Sequence, residues 1–159
     1  MALTLDGTAG ITFPVTAGSA SAVQASSGRV LQVVSSKSST TVTSTGNADL
    51  IAVSITPTSA TSKILVIASF TCAITAGTNA YMIAYIYRGT NTGTLAYSGY
   101  SGYGLPNSIG FAWSATVLDS PSTTSSQTYT FVCGKGSGST TSWTTDGQPY
   151  TLTLMEIAA

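Results

Sequence analysis

Residues 63–74 read KILVIASFTCAI, and the spacing of their side chains decides the fold class. Ile64, Val66, Ala68, Phe70, Cys72 and Ile74 fall on one phase of a two-residue period, with Ser69 and Thr71 on the other. That is the period of a strand, in which successive side chains point to opposite faces. The run is far shorter than the ~20 residues that span a bilayer, and two hydroxyls interrupt it. The same alternation returns in SIGFAWSATVL, residues 108–118, where Ile109, Phe111, Trp113, Ala115 and Val117 share a face. Ile51, Val53 and Ile55 repeat it, as do Tyr129, Phe131 and Cys133.

Outward from this run, short strand-like segments are predicted near 29–35, 39–45, 50–56, 63–74, 80–88, 93–98, 109–118, 126–133 and 149–157. Turn-prone clusters separate them, including TPTSATS, TAGTNA, RGTNTGT, DSPSTTS and GKGSGSTTS. Regular turns without a helical period indicate an all-β chain, an antiparallel sandwich or barrel. Residues 1–27 differ: they sustain neither period and contain the small-residue stretch TAGSASAVQASSG. They read as an extended amino-terminal arm and linker, followed by a β-domain over residues 28–159.

Composition narrows the possibilities. Only 6% of the 159 residues are charged, against about 25% in ordinary soluble domains. Five Lys and Arg balance five Asp and Glu, so no basic field exists to attract nucleic acid. Ser and Thr supply roughly a third of the chain and do the solvating; Thr suits strands and Ser suits turns. The start, MALTLDGTAGITFP, lacks a charged n-region and an unbroken apolar core, so a secretory leader is not expected, nor membrane insertion. Synthesis in a cytosol follows, and Cys72 and Cys133 are expected as buried free thiols.

Enzymatic chemistry finds little support. The chain has no His, which removes the common triads and imidazole metal sites. Its two Cys lack a CxxC spacing. The carboxylates Asp6, Asp49, Asp119, Asp146 and Glu156 are scattered singly. GKGSGS lacks the phosphate-loop spacing and reads as a hairpin loop. No catalytic, metal or cofactor-binding residue is named, no cofactor is implied, and a non-enzymatic protein is expected.

Two features point to interactions instead. Leu65, Ile67, Met82, Ile86, Leu118, Leu152 and Leu154 fall on phases opposite to the strand cores. Such an excess implies that part of the outer surface is covered by further copies of the chain. On this reading Leu152 and Leu154 of the last strand, TLTLMEIAA, belong to a subunit interface. Second, AYSGYSGYGLP spaces Tyr97, Tyr100 and Tyr103 three apart. That fits neither helix nor strand and predicts a loop. Tyr with Ser and Gly is the composition of adaptable binding loops, although the rings could equally fold back over the sandwich end or pack between subunits.

Several segments carry a family resemblance: LTLDGTAGITFP, GRVLQVV, VSITPTSATSKILVIASF, LDSPSTTSSQTYTF and TLTLMEIAA. Together they resemble bacteriophage virion proteins of the tail-fibre or minor structural type. The resemblance covers nearly the whole chain and implies a jelly-roll β-sandwich, assembled as a homotrimer on the virion surface and joined to the particle by its amino-terminal segment. Tail fibres carry a long shaft, whereas about 27 residues precede this domain. A capsid decoration protein, of cement or head-fibre type, is therefore the first expectation, with the major capsid protein or another virion component as partner. The alternative is a tail-fibre tip or adhesin that shows its tyrosines to a host surface glycan or protein. In the arm, Leu3, Leu5, Ile11, Phe13 and Val15 are the substantial apolar side chains available to anchor it on a partner.

Overall fold

The computed structural model describes residues 4–6, 10–12, 28–74, 80–105, 109–135 and 142–159. Two short strands, β1 (Thr4–Asp6) and β2 (Gly10–Thr12), pair as a two-stranded sheet of their own. The remaining strands are β3 (Val30–Ser38), β4 (Thr43–Ser44), β5 (Ala48–Ile55), β6 (Lys63–Ile74), β7 (Ala80–Arg88), β8 (Thr94–Leu105), β9 (Ile109–Asp119), β10 (Gln127–Lys135), β11 (Trp143–Thr144) and β12 (Tyr150–Ile157).

Four antiparallel pairs are nested inside one another: β3 with β12, β5 with β10, β6 with β9, and β7 with β8. The chain is thus one long hairpin, rolled so that alternate pairs fall into opposite sheets. One sheet has the order β3-β12-β6-β9 and the other β5-β10-β7-β8. This nesting is the jelly roll, so the all-β sandwich expected from the sequence is the observed fold.

The short strands β4 and β11 extend the outermost pair past an interruption. Strand β11 continues along the edge of β6 that β12 occupies, with Trp143 opposite Ile74 and Ser44. Thr145 stitches the break together and is fully buried. Its N–H donates to Val42 O at 3.0 Å, and its hydroxyl accepts from Val42 N–H at 2.9 Å and donates to Thr40 O at 3.1 Å. The chain then reverses through Asp146 and Gly147, with φ of 48° and 67°. Gln148 N–H closes this turn on Thr145 O at 2.8 Å. Two consecutive positive φ values make it a primed turn, which the Asp-Gly pair accepts at low cost.

The core follows the period-two reading for most strands. Ile64, Val66, Ala68, Phe70 and Cys72 of β6 face inward with Val53 and Ile55 of β5 and Tyr129, Phe131 and Cys133 of β10. An aromatic cluster joins the two sheets. Trp113 stacks on Phe131 at 5.5 Å and 6°, while Phe70 meets both edge-on, at 5.6 and 5.2 Å. Edge and offset contacts of this kind add about 0.5–1.5 kcal/mol per pair beyond the area buried.

The outer-phase assignment needs correction for four residues. Met82, Ile86, Leu152 and Leu154 are core residues of this same chain, at 1, 0, 0 and 0% exposure. Leu152 and Leu154 therefore cannot form a subunit interface. The reason is register: β12 pairs with β6 so that Leu152 lies opposite Ala68 and Leu154 opposite Val66. Cross-strand partners share a face, and Ala68 and Val66 are fully buried. Met155 and Ile157 are the large apolar β12 residues that face out, on the same side as Thr151 and Thr153.

This phase can be tested directly. Leu154→Ala should lower the unfolding free energy by about 2–5 kcal/mol, the usual cost of a buried leucine cavity. Met155→Ala, on the half-buried outer face, should cost clearly less. Urea denaturation of both variants checks the order; the reverse ranking would invert β12.

Candidate interaction surfaces

The tyrosine segment is strand, not loop. Tyr97, Tyr100 and Tyr103 all lie in β8. Tyr97 lies opposite Ile86 and Tyr100 opposite Ile83 in one unbroken register with β7, so a regular strand carries the spacing of three; two register shifts flank that stretch. Ala80 pairs with Leu105 but Met82 with Ser101, and Ile86 pairs with Tyr97 but Tyr87 with Leu95. The first shift adds two residues to β8 and keeps its phase, while the second adds one and flips it. Tyr97 is half-buried and its ring lies 5.8 Å from that of Trp113, so it extends the aromatic cluster. Gly99 permits this, because a Cβ there would strike the Tyr97 ring. The side chains of Tyr100 and Tyr103 lie outside the described residues.

Of the arm residues expected to anchor the chain, Leu3, Phe13 and Val15 lie outside the described residues. Leu5 and Ile11 fall in the β1–β2 hairpin, whose register sets Leu5 opposite Ile11 and Thr4 opposite Thr12. That part of the arm is paired rather than extended.

The outer face of the β3-β12-β6-β9 sheet has a layout that single-strand reading could not give. Register aligns Val33, Met155, Leu65 and Leu118 in one row across all four strands. Its two ends are the most open, Val33 at 53% and Leu118 at 50% exposure. Val30 (48% exposed) and Ile157 pair beside it, next to Lys63. On the row's other side run Ser35, Thr153, Ile67 and Thr116, then Lys37, Thr151, Ser69 and Ser114. Hydroxyl pairs tie these rows, Ser35 to Thr153 and Ser69 to Thr151, each at 2.8 Å. Farther along, a shallow depression of about 290 Å³ opens between Ser69, Thr71, Ala112, Ser114 and Pro149.

The ionisable groups are structural. Glu156, fully buried on the inner face of β12, accepts from Gln32 Nε2 at 2.6 Å and from Thr58 N–H and Oγ1 at 2.7 Å each. It ties β12 to β3 and to the connection between β5 and β6. Burial alone would push this carboxyl up, but the hydrogen bonds from Gln32 and Thr58 outweigh it and hold it at about 2. Asp119 accepts from the Tyr129 hydroxyl at 2.7 Å and pairs with Arg88 at 3.4 Å. Burial, then the bond and charge of Asp119, push the Tyr129 phenol up against the opposing pull of Arg88. Cys72 and Cys133 are free and buried, as expected. Burial pushes Cys72 up to about 12 and raises Cys133 as well, so neither is a ready nucleophile. Among the described residues no group of three or more His, Cys, Asp or Glu could hold a metal ion. Nor is any helix among them long and apolar enough to cross a membrane.

No family model matches the chain, and no curated protein sequence matches it. Among solved structures, the VP2 subviral particle of infectious bursal disease virus is similar over 84% of this chain and 38% of that chain, with 16% identity and a TM-score of 0.44. The T13 viral particle of IBDV is similar over 100% of this chain and 40% of that chain, with 15% identity and a TM-score of 0.45. A Bacillus endospore appendage, of a family of disulfide-linked pili, overlaps 84% of this chain and 94% of its own, with 15% identity and a TM-score of 0.37. The chain thus spans about two fifths of the length of the viral chains. The fold assignment rests on the strand order itself.

Glu156 gives a pH signature. Its native value lies below the ordinary 4.5, so its ionised form stabilises the fold above that pH. The contribution drains away as pH falls from about 4.5 toward 2. Glu156→Gln should lower Tm at neutral pH, because its amide would face the Gln32 amide as one donor against another. The variant should also show a shallower loss of Tm between these pH values than the parent. Parallel pH-dependent slopes would contradict the role given to Glu156.

Proposed function

We propose that this chain is a non-enzymatic structural protein of a bacteriophage virion, most specifically a homotrimeric capsid decoration protein. Residues 1–27 attach it to the particle, and the jelly roll over residues 28–159 projects from the surface. The observation that carries the reading is the separation of the chain into two parts. The described part of the amino-terminal segment pairs only with itself, while the eight nested strands complete a sandwich without it. A two-stranded hairpin is marginal alone in water, so the segment gains its order on a partner surface at a cost of roughly 1–2 kcal/mol per backbone residue fixed. The resemblance to virion proteins across most of the sequence supplies the partner class, the major capsid protein or another virion component. The adhesin reading is weakened by Tyr97, whose ring packs on Trp113 rather than presenting itself outward.

Deletion of residues 1–27 should leave a folded, soluble oligomer that no longer binds particles, and Phe13→Ala should weaken binding in the same pelleting assay. Wild-type occupancy by the truncated protein would assign attachment to the sandwich. Quantifying the protein in purified particles separates the two locations: many copies per virion fit a capsid decoration, and a handful would move the protein to a tail appendage.

A further inference from the structure

We propose that the free edge of β9 is a self-association edge, at which two copies of this chain pair β9 with β9, antiparallel about a two-fold axis at Ser114. The contact joins copies in pairs, so it links two trimers or stands alone, and it does not rest on the function proposed above.

A strand at the edge of a sheet offers unpaired N–H and C=O groups to any chain that can align with them, and proteins blunt such edges with bulges, charges, Pro or shortness. Among the described residues the roll has four long edge strands, β3, β5, β8 and β9. Three of them are blunted. Strand β3 carries Leu31 as an extra residue against β12, and it carries Lys37. Strand β5 carries Leu50 as an extra residue against β10, beside Asp49. Strand β8 shifts register twice against β7 and is weakened by Gly99, Gly102 and Gly104. Strand β9 has none of these devices. It matches β6 residue for residue from Ile109 to Asp119 without a shift, and it contains no Pro, Lys or Arg. Its one charge, Asp119, stands at the last position and is engaged by Tyr129 and Arg88.

The strand also fits itself. Two identical strands whose free edges meet with their outer faces on the same side are antiparallel, related by a two-fold axis normal to the sheet. Overlap along the whole of β9 then sets Ser114 opposite its own copy, Ala112 opposite Thr116, and Gly110 opposite Leu118. All five residues are exposed on the outer face, Leu118 at 50%. Cross-strand partners on one face touch, and here the larger side chain of each pair meets the smaller. On the inner phase Trp113 falls opposite Ala115, again large against small. Side-chain size thus runs in complementary order about Ser114, a match that an unrelated extended chain has no reason to share. A ladder of this length forms about ten main-chain hydrogen bonds, as many as a typical interface carries. Such bonds are what give strand addition its affinity.

Position 114 supplies the test, because a residue on the two-fold axis meets its own copy. Light scattering on the full-length parent, from micromolar to hundreds of micromolar, should give an even number of chain masses. Ser114→Lys and Ser114→Glu should each halve that mass with far-UV dichroism unchanged, and mixing the two variants should restore it. Separately, Ser114→Cys should run as covalent dimers and nothing larger on a non-reducing denaturing gel after mild oxidation. The native thiols are buried, so the bridge reports on the new position. Should the charged variants fail to fold, the cysteine variant decides alone. Charged variants that keep the parental mass, a mixture that stays halved, or a cysteine variant without covalent dimers would each overturn the proposal. A parent of three chains that Ser114→Lys leaves intact would overturn β9 pairing and leave the trimer standing. A parent of two chains that falls to one would support the pairing and remove the trimer. A parent monomeric throughout would remove both.

Discussion

The pairing of β12 with both β3 and β6 is the constraint on which the molecule depends. Its β3 side joins residues more than a hundred positions apart, and the loop that pairing closes contains every other strand pair of the roll. Because β12 lies inside its sheet, it has no edge to spare: Tyr150, Leu152, Leu154 and Glu156 complete the core, and Thr151, Thr153, Met155 and Ile157 lie on the outer face. Glu156 shows how closely the two ends are bound. Its carboxylate takes hydrogen bonds from Gln32, 124 positions earlier, and from Thr58, 98 earlier. A buried carboxylate is costly unless its oxygens are satisfied, so the site tolerates only an arrangement in which β3, β12 and the β5–β6 connection are all in place.

With the roll closed, the rest of the fold follows from local chemistry. Aromatic rings from both sheets meet at Phe70, Trp113, Phe131 and Tyr97 and hold the layers together. Outside, hydroxyls replace charges: Ser35–Thr153, Ser69–Thr151 and Ser54–Thr128 bond across neighbouring strands at 2.8 Å each. Such a surface repels its own kind weakly. It also leaves the aliphatic row on the β3-β12-β6-β9 face without a charged residue in it.

Much of this was legible in the sequence because strands carry their signal locally. The alternation in residues 63–74 and 109–118 marks long strands with one buried face, and Gly, Pro, Ser and Asn mark the turns. The phase of β12 was not legible, because Leu152 and Leu154 alternate with Met155 and Ile157 and both phases are apolar; only the register with Val66 and Ala68 decides between them. The same holds for Met82 and Ile86. The tyrosines in β8 misled because an odd spacing puts successive residues on alternate phases of a strand, so they mark no single face in the sequence. Strand β11 is two residues long and has no period to read. Glu156 looked like one more scattered carboxylate, since nothing in its neighbours announces Gln32 or Thr58. The aliphatic row escaped notice for a related reason: its members lie on four strands and align only when the pairing is known.

The central claim is that β12 locks the roll. Native-state hydrogen exchange by NMR measures this most directly. If the claim holds, the inward and ladder amides of β12 exchange only through global unfolding, with the same free energy as those of β6. The edge strand β8, with its two register shifts, should open at lower cost. If β12 instead exchanges through a local opening while β6 and β10 stay protected, the sandwich does not depend on it, and the account fails at its foundation.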